Sequence, residues 1–157
     1  MGSTEPALRL RGVTKTFGTT GAVDSLDLVV PRGVTYGVIG PSGAGKTTCI
    51  RMIMSILFPD SGELSVLGRK SALEAKSRIG YLAEERGVYR KMRVGNFLTY
   101  MAKLKGIDPG AAKGKVHWWL ERVGLEDNFK KRCEELSKGM QQKVQFVASV
   151  IHEPDLL

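Results

Sequence analysis

Residues Gly40 to Thr47 read Gly-Pro-Ser-Gly-Ala-Gly-Lys-Thr and fit G-x-x-x-x-G-K-[ST] at every fixed position. This is the pattern of a phosphate-binding (Walker A) loop. Its glycines let the backbone curl so that successive N–H groups point inward and form a nest for phosphate oxygens. Lys46 supplies a point charge toward the β- and γ-phosphates, and the Thr47 hydroxyl is placed to ligate Mg²⁺. Three other stretches hold residue types capable of chemistry. Phe17 ends an apolar run on a glycine turn, where its ring could stack on a base, although by its residue type and place alone it reads first as a core residue. Glu84 and Glu85 follow the apolar run Ile79–Ala83 and could offer a carboxylate to a metal. The stretch Leu136-Ser137-Lys138-Gly139-Met140 is a polar, glycine-containing start to an apolar-striped helix, with Ser137 as N-cap; it reads as an ordinary helix start that also has the makings of an anion site.

These residues need a frame. Val34 to Ile39 reads as a short buried strand entering the loop, and Ile50, Ile53, Met54 and Leu57 have the i, i+3, i+4, i+7 spacing of a helix leaving it. Strand, loop and helix N-terminus in that order form the context a phosphate loop requires. Upstream, Leu8, Leu10 and Val13, then Leu26, Leu28 and Val30, predict an antiparallel pair. Downstream, Phe58-Pro59-Asp60-Ser61-Gly62 is a dense turn signal. A short strand Glu63–Leu67, a brief helical piece near Leu73–Lys76 and a buried strand Ile79–Ala83 follow. Val94, Phe97, Leu98 and Met101 predict a helix closing at Gly106. Asp108-Pro109 reads as N-cap and first residue of the next, whose stripe is Ala112, Val116, Trp119, Leu120 and Val123. Of the adjacent tryptophans only Trp119 shares that stripe, so Trp118 is expected at the surface. A last helix carries Met140, Val144, Val147, Ala148 and Ile151 on one face and ends at Pro154.

With 157 residues, 42% hydrophobic and 25% charged, the sequence suits one globular domain. No apolar run approaches the roughly 20 residues of a membrane span, and the first residues lack the apolar core of a signal peptide. If a membrane is involved, another chain must supply the span. Cys49 and Cys133 have no metal-ligand spacing and are read as reduced thiols, Cys49 as a packed helix residue. The formal net charge of +8 is compatible with nucleic acid, an anionic membrane face or nucleotide as partner; its short clusters, Arg86–Arg93 and Lys130-Lys131-Arg132, read by default as solvated surface.

The phosphate loop together with Leu136-Ser137-Lys138-Gly139-Met140 resembles the ATP-binding domains of ABC transporters over about Leu8 to Leu157. The second stretch is similar to that family's Leu-Ser-Gly-Gly-Gln signature, departing from it at Lys138 and Met140. The resemblance implies an α/β P-loop NTPase of ABC type, a mixed sheet with an antiparallel β subdomain and an inserted helical subdomain. It divides the chain into residues 1–83 (core and β subdomain), 84–136 (Q-loop and helical subdomain) and 137–157 (signature, its helix and the start of a further strand). It also implies a set of ATP contacts: Phe17 on the adenine with Val23 beside it, then Gly40, Pro41, Ser42, Gly43, Ala44, Gly45, Lys46, Thr47 and Thr48 around the phosphates. Thr47 and Glu84 are implied at Mg²⁺, Glu84 standing where the family usually has glutamine. Two domains would meet head to tail, so that Ser137, Lys138, Gly139, Met140 and Gln141 of one cap the ATP of the other. The run Tyr81–Tyr89 looks like a branch of exporter ATPases that includes sodium-extrusion systems.

In that family the carboxylates that drive hydrolysis follow the signature helix, and the expectation is that they lie beyond Leu157, the chain being truncated as that strand begins. His117 and His152 stand at the wrong places to act as the family's switch histidine. The expected activity is therefore ATP binding with negligible turnover, in a marginal protein that exposes apolar sheet surface. Expected partners are a second ATP-binding domain and an integral membrane permease, nucleic acid being unlikely, and the expected location is cytoplasmic, peripheral on the cytoplasmic face of the cell membrane. Two other readings stay open: a soluble ABC-type ATPase acting on nucleic acid, and a compact P-loop kinase or GTPase with Glu84 as its Mg²⁺ carboxylate.

Overall fold

The computed structural model describes residues 5–83 and 87–157. They fall into two compact units, Met1–Lys76 and Ser77–Leu157.

The first unit is built on β1 (Leu8–Phe17), β2 (Thr20–Val30) and β3 (Ser61–Val66), with helix α1 (Lys46–Ile53) inserted between β2 and β3. The strands form one antiparallel sheet in the order β2-β1-β3. Period-two alternation sets the register. Leu8 pairs with Val30 and Val66, and Leu10 with Leu28 and Leu64, which puts the buried Leu8, Leu10, Val30 and Val66 on a common face. The ladder slips after Leu10, where the Asp27 carboxylate accepts a hydrogen bond from the Gly12 amide at 2.8 Å. The predicted pair Leu8–Val13 and Leu26–Val30 and the predicted strand Glu63–Leu67 are thus found.

Two expectations here are corrected. Val34 to Ile39 is not a strand, and Val34, Tyr36, Val38 and Ile39 are exposed, Ile39 almost completely at 97%. A buried parallel strand needs hydrogen-bonded neighbours, and the described residues place none beside it. The helix after the loop is also shorter than its stripe. It ends at Ile53, so Leu57 falls outside it, Ile50 is exposed, and the buried face is Cys49, Met52 and Ile53.

The second unit packs α2 (Val94–Leu104), α3 (Pro109–Arg122) and α4 (Lys138–Val150) around Phe97, Leu98, Val116, Leu120, Val144 and Val147, all essentially inaccessible. Asp108 caps α3 as the sequence predicts, accepting from the amides of Gly110 at 2.8 Å and Ala111 at 3.2 Å, with Pro109 in the first turn. Gly95 allows the closest approach in this core: its amide donates to the Phe129 carbonyl at 2.9 Å, and a Cβ there would overlap the Phe129 ring. Trp118 is exposed, as expected, with the Arg122 guanidinium 3.3 Å from its ring centroid. The predicted helical piece near Leu73–Lys76 is a turn leading into a 3₁₀ segment at Lys76–Arg78.

Of the expected strand Ile79–Ala83, Ile79 and Gly80 are buried, and among the described residues it makes a single parallel bridge, Ile79 to Leu156. Tyr81 and Leu82 are exposed. The Ile79 carbonyl accepts from Lys105 Nζ at 2.8 Å and from His152 Nε2 at 3.1 Å. Donation from Nε2 puts the lone pair of His152 on Nδ1, which is buried without a partner among the described residues. Burial, and then the charges of Lys105 and Lys115, hold the imidazole below its ordinary range against the raising effect of the Ile79 bond.

Candidate functional site

The phosphate loop lies wholly in the first unit. Residues 40–44 are exposed, and the chain enters α1 through Gly45, which takes a left-handed conformation at φ 80° as the N-cap residue. The residue has two reasons to be glycine. A Cβ would suffer the steric cost of that conformation, and it would overlap the Ala22 carbonyl oxygen while standing 3.3 Å from Val23 Cγ2. The loop is thereby pressed against β2.

No side chain caps α1, and the first helical bond of the turn runs from the Cys49 amide to the Gly45 carbonyl at 2.8 Å. The amides of Lys46, Thr47 and Thr48 precede that bond and have no acceptor within the helix. Together with the helix dipole they make a site that favours an anion. Lys46 folds back over the loop, its ammonium donating to the carbonyls of Gly40 at 2.6 Å and Pro41 at 2.7 Å. The loop is drawn into a closed ring, with the Ala44 amide bonded to the Pro41 carbonyl at 3.2 Å. A cation held by two neutral carbonyls at the edge of a nest of N–H donors is placed to move onto a phosphate, where the hydrogen bond would be charge-assisted and stronger. The residues present therefore fit a polyphosphate. Cys49 is buried on the inner face of α1, and burial raises its thiol pKa, which suits a packing role.

Phe17 ends β1 with 49% of its surface exposed, so it is not a core residue. Lys15 Nζ lies over its ring, 5.6 Å from the centroid. Val23 pairs with Lys15 across the β1–β2 ladder and is half-buried. One residue of this region has no sequence signal beyond its place in a turn. The Asp60 carboxylate accepts from Lys15 Nζ at 2.6 Å, the Thr16 amide at 2.7 Å and the Thr16 hydroxyl at 2.9 Å. Those bonds, the Lys15 one foremost, bring its carboxyl down to about 2.

In the second unit Ser137 is the N-cap of α4, its hydroxyl accepting from the Met140 amide at 3.3 Å. Ser137, Lys138 and Gly139 are exposed, and among the described residues nothing stands within 4 Å of where a Cβ of residue 139 would lie. Met140 instead packs against the helical core, and the Gln141 side-chain Nε2 donates back to the Leu136 carbonyl at 2.9 Å. The outward surface of this stretch is thus its first three residues. Glu84, expected at the metal, lies outside the described residues.

A family model described as "ABC transporter" matches residues 23–157. The uncharacterized ABC transporter ATP-binding protein YhaQ of Bacillus subtilis is 47% identical over 150 residues, which are 96% of this chain and 50% of that protein. The bacitracin transport ATP-binding protein BcrA of Enterococcus faecalis is 34% identical over 156 residues, 98% of this chain and 50% of that one. A solved structure of the ATP-binding subunit of an ABC transporter superposes with a TM-score of 0.84 at 24% identity, covering 94% of this chain and 63% of that chain, and shows the shared fold. The chain spans about half the length of the curated relatives it matches.

Proposed function

The chain belongs to the ABC transporter family, and we propose that it binds ATP at Gly40–Thr48 as part of the ATP-binding subunit of a transporter whose membrane permease is a separate chain. The observation that carries this reading is the uncapped start of α1 beneath a loop spanned by the Lys46 ammonium. In it, the amides of the loop and of Lys46, Thr47 and Thr48 hold phosphate oxygens, and Lys46 shifts from the Gly40 and Pro41 carbonyls to the β- and γ-phosphates. The Thr47 hydroxyl would hold Mg²⁺; bound there, the metal would supply positive charge against the phosphates. Phe17 offers its exposed ring to the adenine, with Val23 at its side.

The exposed Ser137, Lys138 and Gly139 support the further reading that this stretch caps ATP held by a second ATP-binding domain in a head-to-tail pair. Such a subunit works at the cytoplasmic face of the membrane; no described helix is long and apolar enough to cross it. The matched family sets aside the compact kinase or GTPase alternative.

Photolabelling with 8-azido-ATP tests the assignment. Label should enter a peptide around Phe17 or Val23, be displaced by ATP and disappear in Lys46→Ala. Label confined to the second unit, or insensitive to Lys46→Ala, would contradict it.

A further inference from the structure

We propose that Asp60 is a positioning residue for nucleotide binding: it fixes the end of β1 so that the Phe17 ring is presented as a platform for the base. The inference rests on the ATP reading above and concerns how the base half of that site is built.

The sheet itself does not hold this end of β1. The last pairing of β1 with β3 is Thr14 with Ser61, and the β1–β2 register shifts on either side of Lys15. Beyond Thr14, β1 has no β3 neighbour, so the Thr16 amide has no ladder partner on that side and would fray. Asp60, in the turn just before β3, takes over. Its own amide donates to the Thr14 carbonyl at 2.9 Å. One carboxylate oxygen accepts from both the amide and the hydroxyl of Thr16, and the other accepts from Lys15 Nζ. The three residues preceding Phe17 are thus all tied to one residue across the sheet edge, Thr14 through the Asp60 backbone amide and Lys15 and Thr16 through its carboxylate.

The tie reaches the ring through Lys15. Its side chain is largely buried, at 17% exposure, and its ammonium is kept over the Phe17 ring by the ion pair. A cation over one part of an aromatic ring, itself neutralised by a carboxylate, leaves the ring oriented and half its surface open. A ring meant only to fill space would be covered; this one is held in place and left uncovered.

The test is a double-mutant cycle read with two ligands, ATP and inorganic tripolyphosphate, the second carrying phosphates and no base. Asp60→Ala should weaken ATP about fivefold, the low end of what stacking one base on an aromatic ring is worth, and leave tripolyphosphate within about twofold, small beside that stacking effect. Phe17→Ala should weaken ATP at least as much, and Asp60→Ala added to it should cost nothing further. Asp60→Asn, which keeps the side-chain shape, should show the same pattern in smaller degree and serves if Asp60→Ala does not fold. Equal weakening of both ligands, or additive effects of the two substitutions on ATP, would overturn the proposal and mark Asp60 as a structural tie alone. Lys46→Ala is run in parallel: if it leaves both ligands bound as before, the phosphate-site reading fails, whereas if it abolishes binding while Asp60 and Phe17 act independently, only the positioning role fails.

Discussion

Placing alanine at Gly45 and at Gly43 separates two costs that glycine avoids in the phosphate loop. Both residues have left-handed backbones, φ 80° and 83°, so each substitution incurs about 1–2 kcal/mol of steric strain from that conformation. At Gly43 nothing else stands within 4 Å of the new methyl group. At Gly45 the methyl would overlap the Ala22 carbonyl oxygen and press on the Ala22 carbonyl carbon and Val23 Cγ2, each 3.3 Å away. The Ala22 atoms are backbone of a paired strand and cannot rotate aside. Overpacking of that kind adds about 1–3 kcal/mol, so Gly45→Ala should cost about 2–5 kcal/mol in all. Urea denaturation without nucleotide is the assay, because a bound ligand would add its own stabilisation to the folded state. The expected result is a midpoint lowered modestly for Gly43→Ala and clearly more for Gly45→Ala. Equal midpoints would refute the close contact between the loop and β2.

Other perturbations have simpler outcomes. Ser137→Ala removes the α4 cap and should lower stability by about 1 kcal/mol, measured by chemical denaturation, while Ser137→Gly should cost only a few tenths of a kcal/mol. His152 is held neutral by burial, with its pKa below the ordinary 6.5; the unfolded chain therefore takes up the proton first. The stability it contributes is present above about pH 6.5 and is lost as pH falls through the lower folded value. Thermal melts stepped down from pH 7.5 should show this decline, and His152→Asn should flatten it.

The parts legible in the sequence are those fixed by local pattern. Alternation at Leu8–Val13 and Leu26–Val30 specifies the β1–β2 pair, and Asp108-Pro109 and Ser137 announce α3 and α4, because a capping side chain acts within three residues of itself. The phosphate loop is legible because its glycines, Lys46 and Thr47 are all dictated by one short piece of backbone. What was missed depends on partners distant in sequence. The apolar run Val34–Ile39 has the composition of a buried strand, yet apolarity does not supply a neighbour, and among the described residues it has none. The stripe after the loop gave the helix but overran its end, since spacing alone does not say where α1 stops. Asp60 reads as a turn residue; its three bonds to Lys15 and Thr16 arise from β3 returning beside β1, which no local periodicity encodes.

The central claim is that Lys46 and the loop it spans form an ATP site, and titration calorimetry of ATP with Mg²⁺ into the wild-type protein and Lys46→Ala tests it most directly. Hydrogen bonds to charged groups contribute about 1.5–3 kcal/mol, so Lys46→Ala should weaken ATP roughly 10- to 150-fold. Equal affinity in the two proteins would contradict the account.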